Sequence, residues 1–272
     1  MLHSTAPRAP HRETHRLPAD LWLKGIVSDS GLVIAAMIFG ASTLLAPYQQ
    51  GSLLWSVLVW SVYLADRMSG GPEDRGLARW PVRHPVLAKM LLCSLVGVIA
   101  GLVAAQPELL PATLGLGLLG CGYFLRVPLL GRRFKDIPGT KSLFLALNLC
   151  AGTVLLGGAP IGAGVASLGL ILHANTTVYD LRDRERDAQA GVKTLAVLLP
   201  LRTLLASQGA LVVAGMLLGL LHGGAFAAAG LGVGLAHLAA MAWLWSRPFT
   251  PALSVGLDGG AAAVFLVAAA LS

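Results

Sequence analysis

Apolar residues come along this chain in nine long runs, near 29–46, 51–67, 85–105, 109–126, 141–158, 161–179, 201–221, 225–246 and 250–271. A helix that crosses a bilayer needs about 20 mostly apolar residues. The pattern therefore predicts an all-α integral membrane protein with nine spanning helices. Prolines punctuate the run ends, as at Pro47, Pro85, Pro128, Pro160 and Pro200, where a residue without an N–H costs a helix least. Several runs are rich in Gly and Ala, such as Gly115 to Gly122 and Gly230 to Gly234. Residues of that size let helices approach closely in lipid.

Polar positions sharpen this picture. Only 12% of the residues are charged and 56% are hydrophobic, where a soluble domain carries roughly 25% charged residues. All 20 Lys and Arg fall in the tail and first-helix approach or in alternate connections, those after the second, fourth, sixth and eighth runs. The intervening connections, near Pro47–Gly51, Ala105–Pro111, Gly157–Gly162 and His222–Gly224, have none. Positive charge marks the cytoplasmic side, so the N-terminus is expected inside and the C-terminus outside. The net charge of +7 is then topological, and it excludes a nucleic-acid partner while fitting contact with membrane lipid. Residues 1–20, polar and rich in Arg, His and Pro, read as a disordered cytoplasmic tail without the apolar core of a signal peptide. Residues 21–272 read as one domain. Cys93, Cys121 and Cys150 sit inside apolar runs without metal-ligand spacing and are expected to be unbridged.

The chemistry gathers on the positive side. Tyr179-Asp180-Leu181-Arg182-Asp183-Arg184-Glu185-Arg186-Asp187 follows the sixth run, with Gly191, Lys193 and Thr194 just beyond. On a helix, Asp180, Asp183 and Asp187 fall on one stripe. Three carboxylates in a row repel one another unless a cation stands between them, and Mg²⁺ shared with substrate phosphates is one such cation. The alternative is a solvated helix end, since Arg182, Arg184 and Arg186 interleave with the acids. A second acidic element, Val62-Tyr63-Leu64-Ala65-Asp66-Arg67 with Glu73 and Asp74, ends the second run, four helices earlier. The likeness of Asp66-Arg67 to Asp183-Arg184 suggests an internal repeat, with two clusters facing each other across a diphosphate. The alternative for Asp66 is again a salt-bridged helix end.

Asp180-x-x-Asp183-x-x-x-Asp187-x-x-x-Gly191-x-Lys193-Thr194-Leu195 resembles the second aspartate motif of the UbiA superfamily of intramembrane prenyltransferases. The resemblance runs the length of the chain, through an acidic loop after the second helix, a Tyr-then-basic loop after the fourth and an acidic loop after the sixth. It implies a nine-helix bundle with a central cavity under cytoplasmic cap loops. It also implies an enzyme of the inner membrane, facing the cytoplasm, that uses Mg²⁺ to move a prenyl group from a prenyl diphosphate to an aromatic or other lipophilic acceptor. The first motif of that family is typically Asn-x-x-x-Asp-x-x-x-Asp. Here Val62 stands at the Asn position, Asp66 at the first Asp and Gly70 at the second. Asp74 is the candidate substitute, brought back by the turn-prone Gly70-Gly71-Pro72.

The expected metal set is thus Asp66, Asp74, Asp180, Asp183 and Asp187. Asp66, Asp183, Asp187 and Lys193 are expected to carry the catalysis, with Lys193, Arg126, Lys135 and Lys141 stabilising the departing diphosphate. Tyr63, Tyr123 and Tyr179 are candidate pocket-lining residues, with an interfacial aromatic belt as the alternative. Among polar residues inside the spans, Asn175 is expected at the site. Asn148 is a candidate for the cavity, His173 and His237 read as helix–helix hydrogen bonders, and Asp258 reads as a pairing residue outside the catalytic set. Two other functions remain open: a membrane terpene cyclase, in which the ionised chain captures its own double bond, and a transporter or silent membrane protein that keeps the bundle.

Overall fold

The computed structural model describes residues 31–46, 49–69 and 80–272. The expected tail (residues 1–20) and Asp74 lie outside the described residues. The long helices are α1 (Leu32–Leu45), α2 (Gln49–Ser69), α3 (Pro85–Ala105), α4 (Leu110–Phe124), α5 (Lys141–Leu155), α6 (Ala163–Gln189), α7 (Leu201–His222), α8 (Gly224–Leu244) and α9 (Pro251–Leu271). One-turn helices, Trp80–Arg83 and Leu195–Leu198, precede α3 and α7. Among the described residues there is no strand, only a single bridge between Val127 and Arg132.

Local chemistry explains the boundaries. Pro85, Pro111 and Pro251 stand in the first turns of α3, α4 and α9, where the missing N–H has no partner to lose. The Thr250 hydroxyl caps α9 by accepting from the Leu253 N–H at 3.2 Å. At the end of α6 the Val192 N–H returns to the Asp187 carbonyl at 2.8 Å. This is a Schellman closure that needs the left-handed φ of 75° at Gly191.

The helices close into a ring. α1 packs on α2, α2 on α4, α4 on α5, α5 on α6, α6 on α7, α7 on α8, α8 on α9 and α9 back on α1, while α3 packs on the flank of α2. Small residues set the close approaches. Gly40 of α1 faces the backbone of α9 at Phe265–Leu266, and Gly51 of α2 faces the Leu156 carbonyl beyond α5. Trp55 lies against Gly152 and donates its indole N–H to the Leu149 carbonyl at 3.2 Å, and Ser42 meets Thr153 at 3.0 Å. In lipid, packing and buried hydrogen bonds of this kind hold helices together, because lipid is as apolar as the helix faces. The outward faces are correspondingly apolar and exposed, at Val86, Leu118, Leu147, Leu217 and Leu221.

Among the described residues, α3, α7 and α8 are long and apolar enough to cross a membrane by length and composition. Leu32–Leu45, Lys141–Leu155 and Gly256–Leu271 are shorter apolar helices. At one end of the ring the loop after α4 meets the loop after α6, where the Gly139 N–H donates to the Lys193 carbonyl at 2.8 Å. This joint positions the polar site.

Candidate active site

A cavity of about 430 Å³ opens between α1, α2, α4, α5, α6 and α9. Its inner wall is apolar, with Ile34, Trp55, Val59, Leu116 and Leu149. Its mouth is charged. α2 brings Asp66 and Arg67, α5 brings Lys141, and α6 brings Asp180, Arg182, Asp183 and Arg186. The two acidic elements, more than 100 residues apart in sequence, thus border one space.

Each carboxylate has a cationic partner. Lys135, buried in the cap loop, reaches Asp66 at 2.8 Å and lies 5.3 Å from the centre of the Tyr123 ring. Lys141 lies between the first and last members of the stripe, 2.8 Å from Asp180 and 3.1 Å from Asp187. The Ser142 hydroxyl adds a bond to Asp180 at 3.2 Å. Asp183 receives a forked pair of bonds from Arg182, both at 3.0 Å, and an ion pair from Arg186. The stripe predicted from i, i+3, i+7 spacing is present, with protein cations meeting the repulsion among its members.

The cap loop is braced in the same way. Burial works against the ionised form of Asp136, but bonds from the Arg133 side chain and its charge hold that carboxyl below the usual carboxylate range. Phe134 stacks on Phe144 of α5 with ring centres 4.7 Å apart, and Tyr123 stacks on the same ring at 6.0 Å. Lys135 is thereby fixed beneath the loop.

The expected site residues divide by place. Asp66, Asp180, Asp183, Lys141, Tyr63, Tyr123, Asn175 and Tyr179 all line the cavity. Asp187 and Lys135 are buried just behind the wall, each holding a wall residue through an ion pair. Arg126 and Lys193 are exposed and do not line the cavity; Lys193 contributes its backbone carbonyl to the loop joint. Three residues at the mouth are absent from the expected set. The sequence pattern assigns Arg67, Arg182 and Arg186 to topology or to solvated pairs, although their place beside the acids is a usable signal. Ser142 carries no sequence signal. Asp258, expected outside the set, lies on the cavity wall beside Asn175.

The donors suit a hard cation. Asp66, Asp180 and Asp183 offer only oxygen, the ligand type Mg²⁺ takes. Among the described residues no three His, Cys, Asp or Glu side chains come together as a metal cluster. A cation bound here would therefore assume charge compensation that Lys141, Arg182 and Arg186 supply in this arrangement, and it would need further oxygens from a ligand. A diphosphate has them.

No protein-family model and no curated protein matches the chain. Solved structures do. A UbiA homolog from Archaeoglobus fulgidus bound to GPP and Mg²⁺ is 17% identical, with 91% of this chain covering 98% of that one at a TM-score of 0.64. The same homolog bound to DMAPP and Mg²⁺ is 16% identical over 91% of this chain and 97% of its own, at 0.65. The apo structure of a UbiA homolog from Aeropyrum pernix K1 is 16% identical over 89% and 95%, at 0.59. This chain is an integral membrane protein with the UbiA fold.

Proposed function

We propose that the chain is a Mg²⁺-dependent intramembrane prenyltransferase of the UbiA superfamily, taking its prenyl group from a prenyl diphosphate and passing it to a lipophilic acceptor. Residues 21–272 form its single nine-span domain. The active site faces the cytoplasm of a bacterial inner membrane, with the N-terminus inside and the C-terminus outside. The observation that carries this reading is a cavity that joins a doubly acidic, cation-rich mouth to an apolar inner wall. Its structural neighbours from Archaeoglobus fulgidus, bound to GPP and Mg²⁺ and to DMAPP and Mg²⁺, support it.

The chemistry follows from that division. Asp66, Asp180 and Asp183 would hold Mg²⁺, which lowers the cost of charge on a departing diphosphate. Arg67, Lys141, Arg182 and Arg186 border the same mouth and stabilise the anion as the allylic C–O bond lengthens. Asp187 and Lys135 orient Lys141 and Asp66 from behind. The apolar wall keeps water from the allylic cation until the acceptor reaches it.

The test is diphosphate release by purified protein given geranyl diphosphate and Mg²⁺, in wild type and in Asp183→Ala. Wild type should release diphosphate, and the variant should be slower by about 100-fold with its melting temperature kept. A variant as active as wild type removes the acidic stripe from the mechanism.

A further inference from the structure

Below the charged mouth, the polar groups on the cavity wall change character. The wall's cations are Arg67 at the end of α2, Lys141 at the start of α5, and Arg182 and Arg186 on the last turns of α6. Deeper in, the polar wall residues are Asn148, Asn175, Thr176 and Asp258, and none is a cation. Asn175 precedes Asp180 by five residues, roughly 7 Å deeper at the rise of an α-helix.

Asp258 ends a chain of hydrogen bonds. On α8, His237 is 2% exposed; its Nε2 lies 2.7 Å from Asn175 Oδ1. The Asn175 amide donates to Asp258 Oδ1 at 3.3 Å. The Tyr179 hydroxyl, one turn along α6, also hydrogen-bonds Asp258. His237 Nδ1 faces the Val233 carbonyl at 2.8 Å, so both ring nitrogens face oxygen. The ring thereby anchors the Asn175 amide from behind. The Asn175 amide and the Tyr179 hydroxyl thus both donate to Asp258, which lines the cavity. Across the space, the buried Asn148 Oδ1 has no hydrogen-bond partner among the described residues.

A carboxylate and an unsatisfied amide oxygen call for a ligand that donates hydrogen bonds. An ionised acid has no proton to give to either oxygen, whereas a neutral hydroxyl has one. Resting on the prenyl-transfer reading, we infer that Asp258 is the acceptor-side catalytic residue and that the acceptor is a neutral lipophilic compound presenting a hydroxyl group. The acceptor O–H lies toward Asp258. As the C1–O bond to diphosphate breaks, its electron pair leaves on the diphosphate. The acceptor oxygen bonds to C1, the O–H bond breaks, and the proton passes to an Asp258 carboxylate oxygen. Asn175 and His237 are positioning residues that keep this carboxylate aimed at the acceptor.

Acceptor selectivity and an Asp258→Asn variant test this together, with geranyl diphosphate and Mg²⁺ as donor. 4-Butylphenol and a long-chain primary alcohol serve as hydroxyl acceptors, and 4-butylbenzoic acid as the anionic match in shape. Wild type should prenylate the hydroxyl compounds and leave the acid. Asp258→Asn should bind geranyl diphosphate within about twofold of wild type and lose about 100-fold in kcat for the hydroxyl acceptors, the scale of a lost general base. A wild type that prefers the acid overturns the assignment, whether or not the variant folds. So does a variant with wild-type kcat on the phenol and the alcohol. A wild-type protein that binds no geranyl diphosphate with Mg²⁺ overturns the prenyl-transfer reading, and the assignment falls with it; donor binding alongside the wrong acceptor profile overturns the assignment alone.

Discussion

Lys141 reaches two buried carboxylates of one helix at once, Asp180 at 2.8 Å and Asp187 at 3.1 Å. Replacing it with methionine keeps most of the apolar stem but leaves both acids without their shared cation. Removing one partner of a buried ion pair costs about 3–5 kcal/mol, so Lys141→Met should melt well below wild type in detergent. Mg²⁺ with inorganic diphosphate should restore part of the loss, since the Mg²⁺ ion, held by the diphosphate oxygens, would supply positive charge beside Asp180. An unchanged melting temperature would mean that Lys141 is not what neutralises the stripe. At this scale the sequence was legible wherever a residue type is costly in its setting. The i, i+3, i+7 aspartates and the intramembrane Asn175 declared themselves because charge and amide groups are expensive in a bilayer. Arginine gave a poorer signal. The same side chains that mark the cytoplasmic side also serve the cavity mouth, and Arg67, Arg182 and Arg186 satisfy both descriptions. Lys193 illustrates the converse: its motif position suggested phosphate contact, while its exposed side chain stands away from the cavity and its carbonyl ties two loops together.

Among the elements, α2 and α5 fix the inner wall. Trp55 on α2 lines the cavity, and its ring lies where a side chain on Gly152 of α5 would stand. Gly152→Ala must push the indole out of place or spread the two helices. Overpacking of this kind costs about 1–3 kcal/mol, so the variant should lose thermal stability. Trp55→Leu, which makes room, should recover much of the loss in the double variant. Measured melting temperatures for the two single variants and the pair form a cycle with a large coupling. Additive effects would show that the two residues do not meet. Helix positions were readable from apolar run length, with ends marked by proline and by Gly191. The pairing of helices was not, because Gly-rich faces occur on several runs and any two of them make plausible partners. The closure of α9 onto α1 through Gly40 is a property of the assembled ring.

For the whole molecule, the open matter is which way the ring sits in the bilayer. The ends of α2, α4 and α6 gather at the cavity mouth with the loop joint between Gly139 and Lys193. The far ends gather opposite, where Gly51 meets Leu156 and Gly164 meets His222. Every Lys and Arg belongs to the tail and first-helix approach, to the connections after α2, α4, α6 and α8, or to the helix turns beside them, so charge and three-dimensional arrangement select the same end. On the proposed topology the positive-inside rule would turn the mouth toward the cytoplasm, where soluble diphosphate would leave. Single cysteines placed at Gly158, His222, Arg133 and Arg186, in a background with Cys93, Cys121 and Cys150 replaced, make this measurable in intact cells with a membrane-impermeant maleimide. Gly158 and His222 should label from outside, and Arg133 and Arg186 only after the cells are opened. Labelling of Arg133 or Arg186 in intact cells would put the cavity mouth on the outer face, and an enzyme drawing on a cytoplasmic diphosphate could not work from there.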